Sequence, residues 1–496
     1  MMSQIQLSSS YLPQPQGPVW IAGAGVSGRG AAELVRQLGW SVCIVDSNIS
    51  LATELAHQYR GSSMTVQDAY SRLHEASLIV TSPGWRPDTP LLRDAQARGI
   101  PVIGDVELAW CADRDGRFGK PRTWLAVTGT NGKTTATSML AAMMEKAGAA
   151  AEAVGNIGVA VGTALTQTPR VDIMVAELSS FQLHWAPTFT PDAGVILNLA
   201  EDHIDWHGSM DAYAGDKARV YRGDIAVVNS DDERVCDEAK RYVVSEPVSP
   251  HDGDDSCPHV IGFTMDEPSA GEIGIVDGRI VDRVYSPANS DGIVIADATS
   301  ISPPGAAGVA DALAATAIAR SQGVEPDAIA EALSSFVVQK HRGQVVHEAD
   351  GIRWIDNSKA TNPHATDAAL SAVDSCVWIA GGQLKGACVD EVIAKNVERI
   401  SAAVVLGQDR EVIRRSLMAI APRIPLTVVT SMDPVAAMTE AVQAAGRLAQ
   451  PGDTVLLAPA AASLDMYTGM GQRGDLFADA ARRFGTTGLK DRDRDI

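Results

Sequence analysis

Leu125-Ala-Val-Thr-Gly-Thr-Asn-Gly-Lys-Thr-Thr135 is the stretch on which the reading of this chain turns. A short apolar run reads as a buried parallel strand, the Gly/Thr/Asn segment as a turn, and Ala136 to Lys146 as a helix with Met139, Leu140, Met143 and Met144 along one face. Strand, glycine loop and helix together aim backbone N–H groups and a helix N-terminus at a phosphate chain. Lys133 adds a point charge for the outer phosphates, and the Thr134 hydroxyl is placed to ligate magnesium. The loop departs from the common P-loop pattern: Val127 stands five residues before Gly132 where a glycine is usual, and the first glycine is Gly129.

Outward from this loop, the strands Val171–Ala176 and Gly194–Leu199 end in Glu177-Leu-Ser-Ser-Phe-Gln-Leu183 and Ala200-Glu-Asp-His203. Two strand ends of one sheet bring a carboxylate and an imidazole toward the same edge, where both are competent metal ligands. Upstream, Val19-Trp-Ile-Ala-Gly23-Ala-Gly25-Val-Ser-Gly28 is a strand followed by G-x-G-x-x-G, and a second strand ends at Asp46. That acid lies close to the spacing of about 20 residues of a dinucleotide fingerprint. The motif establishes a βαβ unit that holds a diphosphate, and both NAD and a UDP compound carry one. Ser77–Val80 into Thr81-Ser-Pro-Gly84 is a further strand with a small turn at its C-terminal end.

Asp113 to Pro121 reads as a charged linker, and Tyr242 to Ser302 as irregular. Within the latter, His251 to Asp255 is a solvated loop without EF-hand spacing. Ala310 to Gln322 and Glu325 to Phe336 are helical by composition. Beyond Val338 to Gly343, four apolar runs (Trp354-Ile355, Cys376–Ala380, Ala402–Leu406 and Thr454–Ala458) each end in a small-residue turn, the mark of a doubly wound sheet. The tail Lys490 to Asp495 alternates in charge and reads as frayed. The fold expected is therefore α/β in three domains: residues 1–118, Rossmann-like; 119–338, a parallel P-loop ATPase-like sheet; and 339–496, a second Rossmann-like, doubly wound sheet.

Bulk properties bound the function. The 496 residues suit three domains at about 150 residues each, and a hydrophobic content of 45% fills their cores. A net charge of −20 leaves no basic surplus for a nucleic-acid backbone. Cys43, Cys111, Cys236, Cys257, Cys376 and Cys388 form no C-x-x-C pair, which suits a reducing compartment. Met1 to Pro18 lacks an apolar signal core, and no apolar run is long enough to span a bilayer. A cytoplasmic protein with no membrane partner is expected.

The order of motifs resembles the ATP-dependent muramyl ligases of peptidoglycan synthesis. Thr128 to Thr134, Glu177 to Leu183 and Asn198 to His203 carry the likeness. So does Lys217 within Tyr213-Ala-Gly-Asp-Lys-Ala-Arg-Val-Tyr221, where the family has a carbamylated lysine. Ser358-Lys-Ala-Thr-Asn362 and Ala458 to Asp465 with Arg473-Gly474 resemble the branch that adds D-glutamate to UDP-N-acetylmuramoyl-L-alanine. The resemblance implies ATP as co-substrate, two magnesium ions, an acyl-phosphate intermediate and a monomer acting on small molecules. It implies catalytic roles for Lys133, Glu177, His203 and Lys217. Metal ligation falls to Thr134 and Glu177 for one ion, and to His203 and the Lys217 carbamate for the other. ATP goes to Gly129, Thr130, Asn131, Gly132, Lys133, Thr134, Thr135, Asn156, Arg342, Asn357 and Lys359. The UDP substrate goes to Gly25, Val26, Ser27, Asp46, Ser47, Asn48, Ser82, Pro83 and Gly84, and D-glutamate to Thr361, Lys385, Ser463 and Leu464. Departures from the family pattern are Ala307-Gly308 in place of His-Asn before a helix starting near Val309, Asp311 for Asn, the order Asp356-Asn357, and Met470 for an aromatic.

Three rivals remain in view. A nicotinamide oxidoreductase explains only the first motif. A P-loop kinase or ATPase leaves the last domain unexplained. Folylpolyglutamate-type ligases share the central motifs but not the terminal ones.

Overall fold

The computed structural model describes residues 10–245, 259–287 and 290–487. The expectations for His251–Asp255 and Lys490–Asp495 lie outside them. Three sheets follow one another along the chain. The first contains β1 (Val19–Ala22), β2 (Val42–Val45), β3 (Ser62–Met64), β4 (Leu78–Thr81) and β5 (Val102–Gly104), in the order β3-β2-β1-β4-β5. All its pairings are parallel. Every residue of β1, β2 and β4 is buried, as strands covered on both faces require.

The second sheet holds β6 (Thr123–Thr128), β7 (Ala151–Gly155), β8 (Ile173–Glu177), β9 (Ala193–Ile196), β10 (Ile225–Asn229), β11 (His259–Phe263), β12 (Glu272–Val276), β13 (Arg279–Asp282) and β14 (Ile293–Asp297). The order β14-β13-β12-β11-β10-β9-β6-β8-β7 puts β6 between β9 and β8. The loops that leave those two strands therefore flank the loop that leaves β6. The sheet is parallel from β7 to β12 and antiparallel at the edge formed by β12, β13 and β14. Four strands thus occupy a region read from sequence as irregular. Glycine interrupts β11 and β12, charged residues bound β13 and end β14, and each strand is only four or five residues long.

The third sheet comprises β15 (Gln344–Ala349), β16 (Ile352–Asp356), β17 (Cys376–Gly381), β18 (Ile400–Leu406), β19 (Leu426–Val428) and β20 (Thr454–Leu457), ordered β15-β16-β20-β17-β18-β19. It is parallel except for the β15–β16 edge. The four strands expected form its centre; β15 and β19 are edge strands without a clear apolar signal.

The described chain divides into two compact units, one reaching to Ala298 and including Ala310–Ser335, the other made of Thr299–Val309 and the chain from Phe336. Within the first, the segment expected to be a linker is anchored. The helix Asp105–Arg114 runs into it, and Asp113 accepts hydrogen bonds from the Arg122 guanidinium (2.7 Å), the Arg122 amide (2.8 Å) and the Trp124 indole (3.0 Å). Asp115 accepts from the amides of Tyr11 and Leu12. Asp113 thus belongs to a buried ion pair with Arg122, while Arg117 and Lys120 of the same segment are exposed. The helix expected from near Val309 starts earlier, spanning Ala306–Ser321. A Cβ on Gly308 would stand 1.9 Å from the Pro303 carbonyl oxygen, so glycine is the residue this first turn admits.

Candidate active site

The loop after β6 is built as its sequence requires. Gly129 (φ 151°) and Gly132 (φ 82°) take backbone conformations that side chains resist, and Gly132 caps the helix Lys133–Lys146. Asn198, just past β9, clamps the loop. Its side-chain oxygen accepts from the Asn131 amide (2.9 Å), and its carbonyl accepts from the Thr130 amide (3.0 Å). Lys133 Nζ donates to the carbonyls of Gly129 and Thr130, both at 2.8 Å. From the end of β8, the buried Glu177 carboxylate accepts from Thr134 Oγ1 (2.5 Å) with one oxygen and from Asn156 Nδ2 (2.7 Å) with the other.

Lys217, on the helix Met210–Ala218, is 2% exposed, and its Nζ donates to the Gly129 carbonyl at 2.8 Å and to Thr128 Oγ1 at 3.2 Å. It stands over the Tyr213 ring, 4.8 Å from the centroid, and Tyr213 reaches Thr130 at 3.0 Å. Burial pushes the Lys217 ammonium well below the usual lysine range, and the neighbouring Lys133 cation pushes it further. The charges of Asp202, Glu177 and the adjacent Asp216 oppose this without outweighing it, and the Asp216 carboxylate is itself engaged by His184 (2.9 Å), His207 (3.0 Å) and Arg219 (3.0 Å). Burial raises the Asp216 carboxyl, but the hydrogen bonds of the two histidines and the charge of Arg219 outweigh it and hold the group at about 2.

His203 takes a left-handed conformation (φ 54°) at the start of the four-residue helix Ile204–His207, an uncommon state for a non-glycine residue. Its ring lies 4.7 Å from that of Phe181, and burial, with Lys217 and Lys133, depresses its pKa against the pull of Asp202. Of the four catalytic candidates, Lys133, Glu177 and Lys217 are brought directly around Gly129 and Thr134, and His203 lies within electrostatic reach of both lysines. Asn198, Tyr213 and Asp216 complete the arrangement and were not among the candidates; Asn198 and Tyr213 lie in motifs read for their neighbours. Asp311 also belongs here: a Cβ on Gly132 would meet its carboxylate at 2.1 Å.

No group of three or more His, Cys, Asp or Glu among the described residues is arranged to hold a metal. The donors at Thr134 and Glu177 are nonetheless adjacent hydroxyl and carboxylate oxygens, the set that a hard dication accepts.

The first sheet gathers its candidates at the C-terminal edge. Gly25 caps the helix Val26–Gln37 without a side-chain bond, and Val26 is 79% exposed there. Asp46 shapes the edge: it accepts from the amides of Ala24 (2.7 Å) and Asn48 (2.8 Å), and Asn48 in turn caps the next helix through Leu51. Ser82, Pro83 and Gly84 follow β4, and Ser82 Oγ is buried with no hydrogen-bond partner among the described residues.

In the second unit, the loops after β16, β17 and β20 carry Asn357, Lys359 and Thr361, then Lys385, then Ser463 and Leu464. The fully buried Arg473 binds all three loops, donating to Ser358 Oγ (3.0 Å) and to the carbonyls of Ser358 (2.8 Å), Ala461 (3.0 Å) and Gly381 (3.3 Å). Lys385 is exposed and left-handed (φ 54°). Beside Arg342, His341 Nδ1 lies 2.6 Å from the buried Asp356 carboxylate, which also accepts from the Ser358 amide. That pair was not legible as a site feature.

Three consecutive α/β sheets, with a lysine-bearing glycine loop at the centre of the second, define the class as a P-loop α/β protein. Three family models cover successive parts of the chain: Mur ligase MurD-like, N-terminal domain, at 18–104; Mur ligase middle domain, at 127–249; and Mur ligase, glutamate ligase domain, at 341–461. The chain is 52% identical to a UDP-N-acetylmuramoylalanine–D-glutamate ligase of Corynebacterium efficiens, over 97% of this chain and 98% of that one. It is 44% identical to the protein so named in Mycolicibacterium smegmatis, over 94% and 97%. The chain belongs to the Mur ligase family, in its MurD-like branch. Among solved structures, the UDP-N-acetylmuramate-alanine ligase of Thermotoga maritima aligns over 96% of this chain and 99% of its own at a TM-score of 0.54 and 17% identity, a likeness of fold. Among the described residues, no helix is long and apolar enough to cross a membrane.

Proposed function

We propose that this chain is an ATP-dependent ligase that joins D-glutamate to UDP-N-acetylmuramoyl-L-alanine in peptidoglycan precursor synthesis, acting as a cytoplasmic monomer. The observation that carries the reading is the convergence of Lys133, Lys217 and the Thr134–Glu177 pair on one glycine loop. The near-full-length likeness to relatives of that name supports it.

In the first step, a carboxylate oxygen of the L-alanyl group attacks the γ-phosphorus of ATP. The bond from that phosphorus to the bridging oxygen breaks, and ADP leaves. In the second, the amine of D-glutamate attacks the acyl carbon, loses a proton, and phosphate departs. Both steps gather negative charge at one place, so catalysis rests on positioning and on fixed cations. Lys133 is assigned to the outer phosphates, held at the loop by the carbonyls of Gly129 and Thr130. Gly129 to Thr135 cradle the chain of phosphates, and Asn156 orients Glu177.

Thr134 and Glu177 are assigned to one magnesium ion, and His203 with a carbamate on Lys217 to a second; bound, these ions would neutralise phosphate charge. Burial, which disfavours the ammonium of Lys217, favours the neutral amine that acts as a nucleophile. Its nitrogen can add to the carbon of CO2 with loss of one proton, which turns a cation into an oxygen ligand. Residues 1–118 are assigned the UDP substrate, through Gly25 to Ser27, Asp46 to Asn48 and Ser82 to Gly84. Residues 119–338 are assigned ATP, along with Arg342, Asn357 and Lys359. Residues 339–496 are assigned D-glutamate, through Thr361, Lys385, Ser463 and Leu464, a cation with hydroxyl and backbone donors for a dicarboxylate.

The test is ADP release with UDP-N-acetylmuramoyl-L-alanine and a panel of amino acids. Release that depends on D-glutamate is expected. Release that is indifferent to the amino acid, or hydride transfer with NADH, would overturn the reading.

A further inference from the structure

Lys385, the cation assigned to D-glutamate, stands on a turn that its residue type does not favour. The Leu384 carbonyl accepts from the Ala387 amide at 3.0 Å, and both residues between them are left-handed, Lys385 at φ 54° and Gly386 at φ 83°. Two successive positive φ angles are the pattern of a type I′ turn, which glycine, asparagine and aspartate dominate. A lysine there is strained, and strain of this kind persists only where the surroundings hold it. Lys385 is itself exposed, so its backbone fixes where its flexible four-carbon stem begins.

The hold comes from the loop after β18. Asp409 is the N-cap residue of the helix Arg410–Ile420, a position from which an aspartate ordinarily accepts an amide of the helix's own first turn, yet it makes no such bond. Its Oδ2 accepts instead from the Leu384 amide at 2.8 Å, across to the loop after β17. Its own amide donates to the Gly382 carbonyl of that loop at 3.0 Å. Leu384 is buried, and without Asp409 its amide loses the acceptor that the fold gives it.

The preceding residue ties the same loop to the other half of the D-glutamate set. The Gln408 amide donates at 2.8 Å to Oδ2 of Asp465, which directly follows Ser463 and Leu464. Gly407 lies so close to that carboxylate that a Cβ on it would stand 2.8 Å from Oδ2. Adjacent residues of the β18 loop thus reach the loop of Lys385 and the loop of Ser463. Those two loops are also joined directly, because Gln383 and Ala462 exchange amide-to-carbonyl bonds of 2.8 and 2.9 Å. Asp409 is therefore not what keeps the loops together. It bears on the residue that leads into the lysine turn.

We propose that Asp409 is a positioning residue of the amino-acid site: by accepting the Leu384 amide it holds Lys385 in its left-handed state, and so sets the reach of the ammonium toward a carboxylate of D-glutamate. This rests on the reading of Lys385 as a D-glutamate ligand. A carboxylate remote from the reacting amine is held alike before and during reaction, so the loss falls on KM and not on kcat.

The experiment is steady-state ADP release by the full chain, with D-glutamate and ATP varied in turn, for Asp409→Ala, Asp409→Asn, Lys385→Ala and the double variant Asp409→Ala with Lys385→Ala. Asp409→Ala is expected to raise KM for D-glutamate about tenfold, the scale of one hydrogen bond to a charged group, with kcat and KM for ATP little changed. Asp409→Asn keeps an oxygen for the Leu384 amide and is expected to restore most of the wild-type KM. Because Asp409 acts through Lys385, the double variant is expected to match Lys385→Ala. A variant that is merely less well folded has fewer active molecules, which lowers kcat and leaves KM in place. Should Asp409→Ala fail to fold, Asp409→Ser carries the same expectation, since serine caps a helix but is one bond shorter on the way to Leu384.

An unchanged KM for D-glutamate in Asp409→Ala, beside a raised one in Lys385→Ala, overturns the role of Asp409 and leaves the reading of Lys385 intact. So does a rise shared equally by ATP, an Asp409→Asn variant as impaired as Asp409→Ala, or a double variant whose losses multiply. If Lys385→Ala leaves KM for D-glutamate unchanged, the reading of Lys385 fails and this proposal with it.

Discussion

Lys133 and Lys217 place two side-chain nitrogens against the Gly129 carbonyl, each 2.8 Å away. Their chemistry differs because their burial differs: Lys217 is fully enclosed, whereas Lys133 is partly exposed. Lys133 is therefore the fixed charge, and Lys133→Ala is expected to lower kcat at least about a hundredfold, the scale of removing one key transition-state donor. Near-normal ADP release from a folded variant would reduce the loop to a turn. For Lys217 the expected outcome is different. Lys217→Ala should lose activity and regain part of it with a short carboxylate such as acetate, which supplies the oxygen ligand that the carbamate provides. Full activity of Lys217→Ala in CO2-depleted buffer would remove the carbamate from the mechanism. The spacing alone also admits a solvated helix lysine paired with Asp216 or Asp211; that reading fails because Lys217 is 2% exposed and its Nζ donates to Gly129 and Thr128.

At the scale of elements, most candidates follow the end of a parallel strand, and that much is readable from apolar runs followed by small residues; Lys217, within the helix Met210–Ala218, and Arg342, ahead of β15, do not. β6, β8, β9, β16, β17 and β20 all announce themselves this way because they are buried on both faces. The strands β12 to β14, β15 and β19 do not: glycine or charged residues interrupt or bound most of them, and apart from β13 most of their residues are partly or fully exposed, so they do not separate cleanly from loops. Charge misled in the same manner. Asp113 opens the segment Asp113 to Pro121 that reads as a charged linker, yet it pairs at 2.7 Å with Arg122 just beyond it, and the two side chains are 0% and 2% exposed. Asp113→Ala would leave the Arg122 guanidinium buried and unpaired, and a loss of about 3–5 kcal/mol of stability is expected by chemical denaturation. A loss within about 0.5 kcal/mol, the scale of an ordinary surface change, would restore the linker reading. The loop after β17 permits a functional test. Lys385→Ala should raise KM for D-glutamate far more than KM for ATP, and the reverse would move Lys385 to the nucleotide site.

On the scale of the whole molecule, two compact units with separate cores need not unfold together, and a single two-state transition is not the expectation for such a chain. The second unit contains a group that makes its transition recognisable. His341 is nearly buried, left-handed at φ 67°, and its Nδ1 lies 2.6 Å from a wholly buried Asp356 carboxylate. The hydrogen bond to that carboxylate raises the His341 pKa, burial opposes it, and the charges of Asp356 and Asp475 add to the rise against Lys340. A group whose folded pKa lies above its unfolded value, about 6.5 for histidine, stabilises fully below that value and loses its contribution as pH rises through the folded one. Calorimetric scans are therefore expected to show two transitions. The one belonging to the second unit should move down by a few degrees between about pH 6 and pH 9. His341→Gln keeps a donor toward Asp356 but cannot titrate, so it should flatten that shift while leaving the other transition where it was. A pH-dependent shift that survives in His341→Gln would assign the titration to another group and leave the His341–Asp356 pair without a part in it.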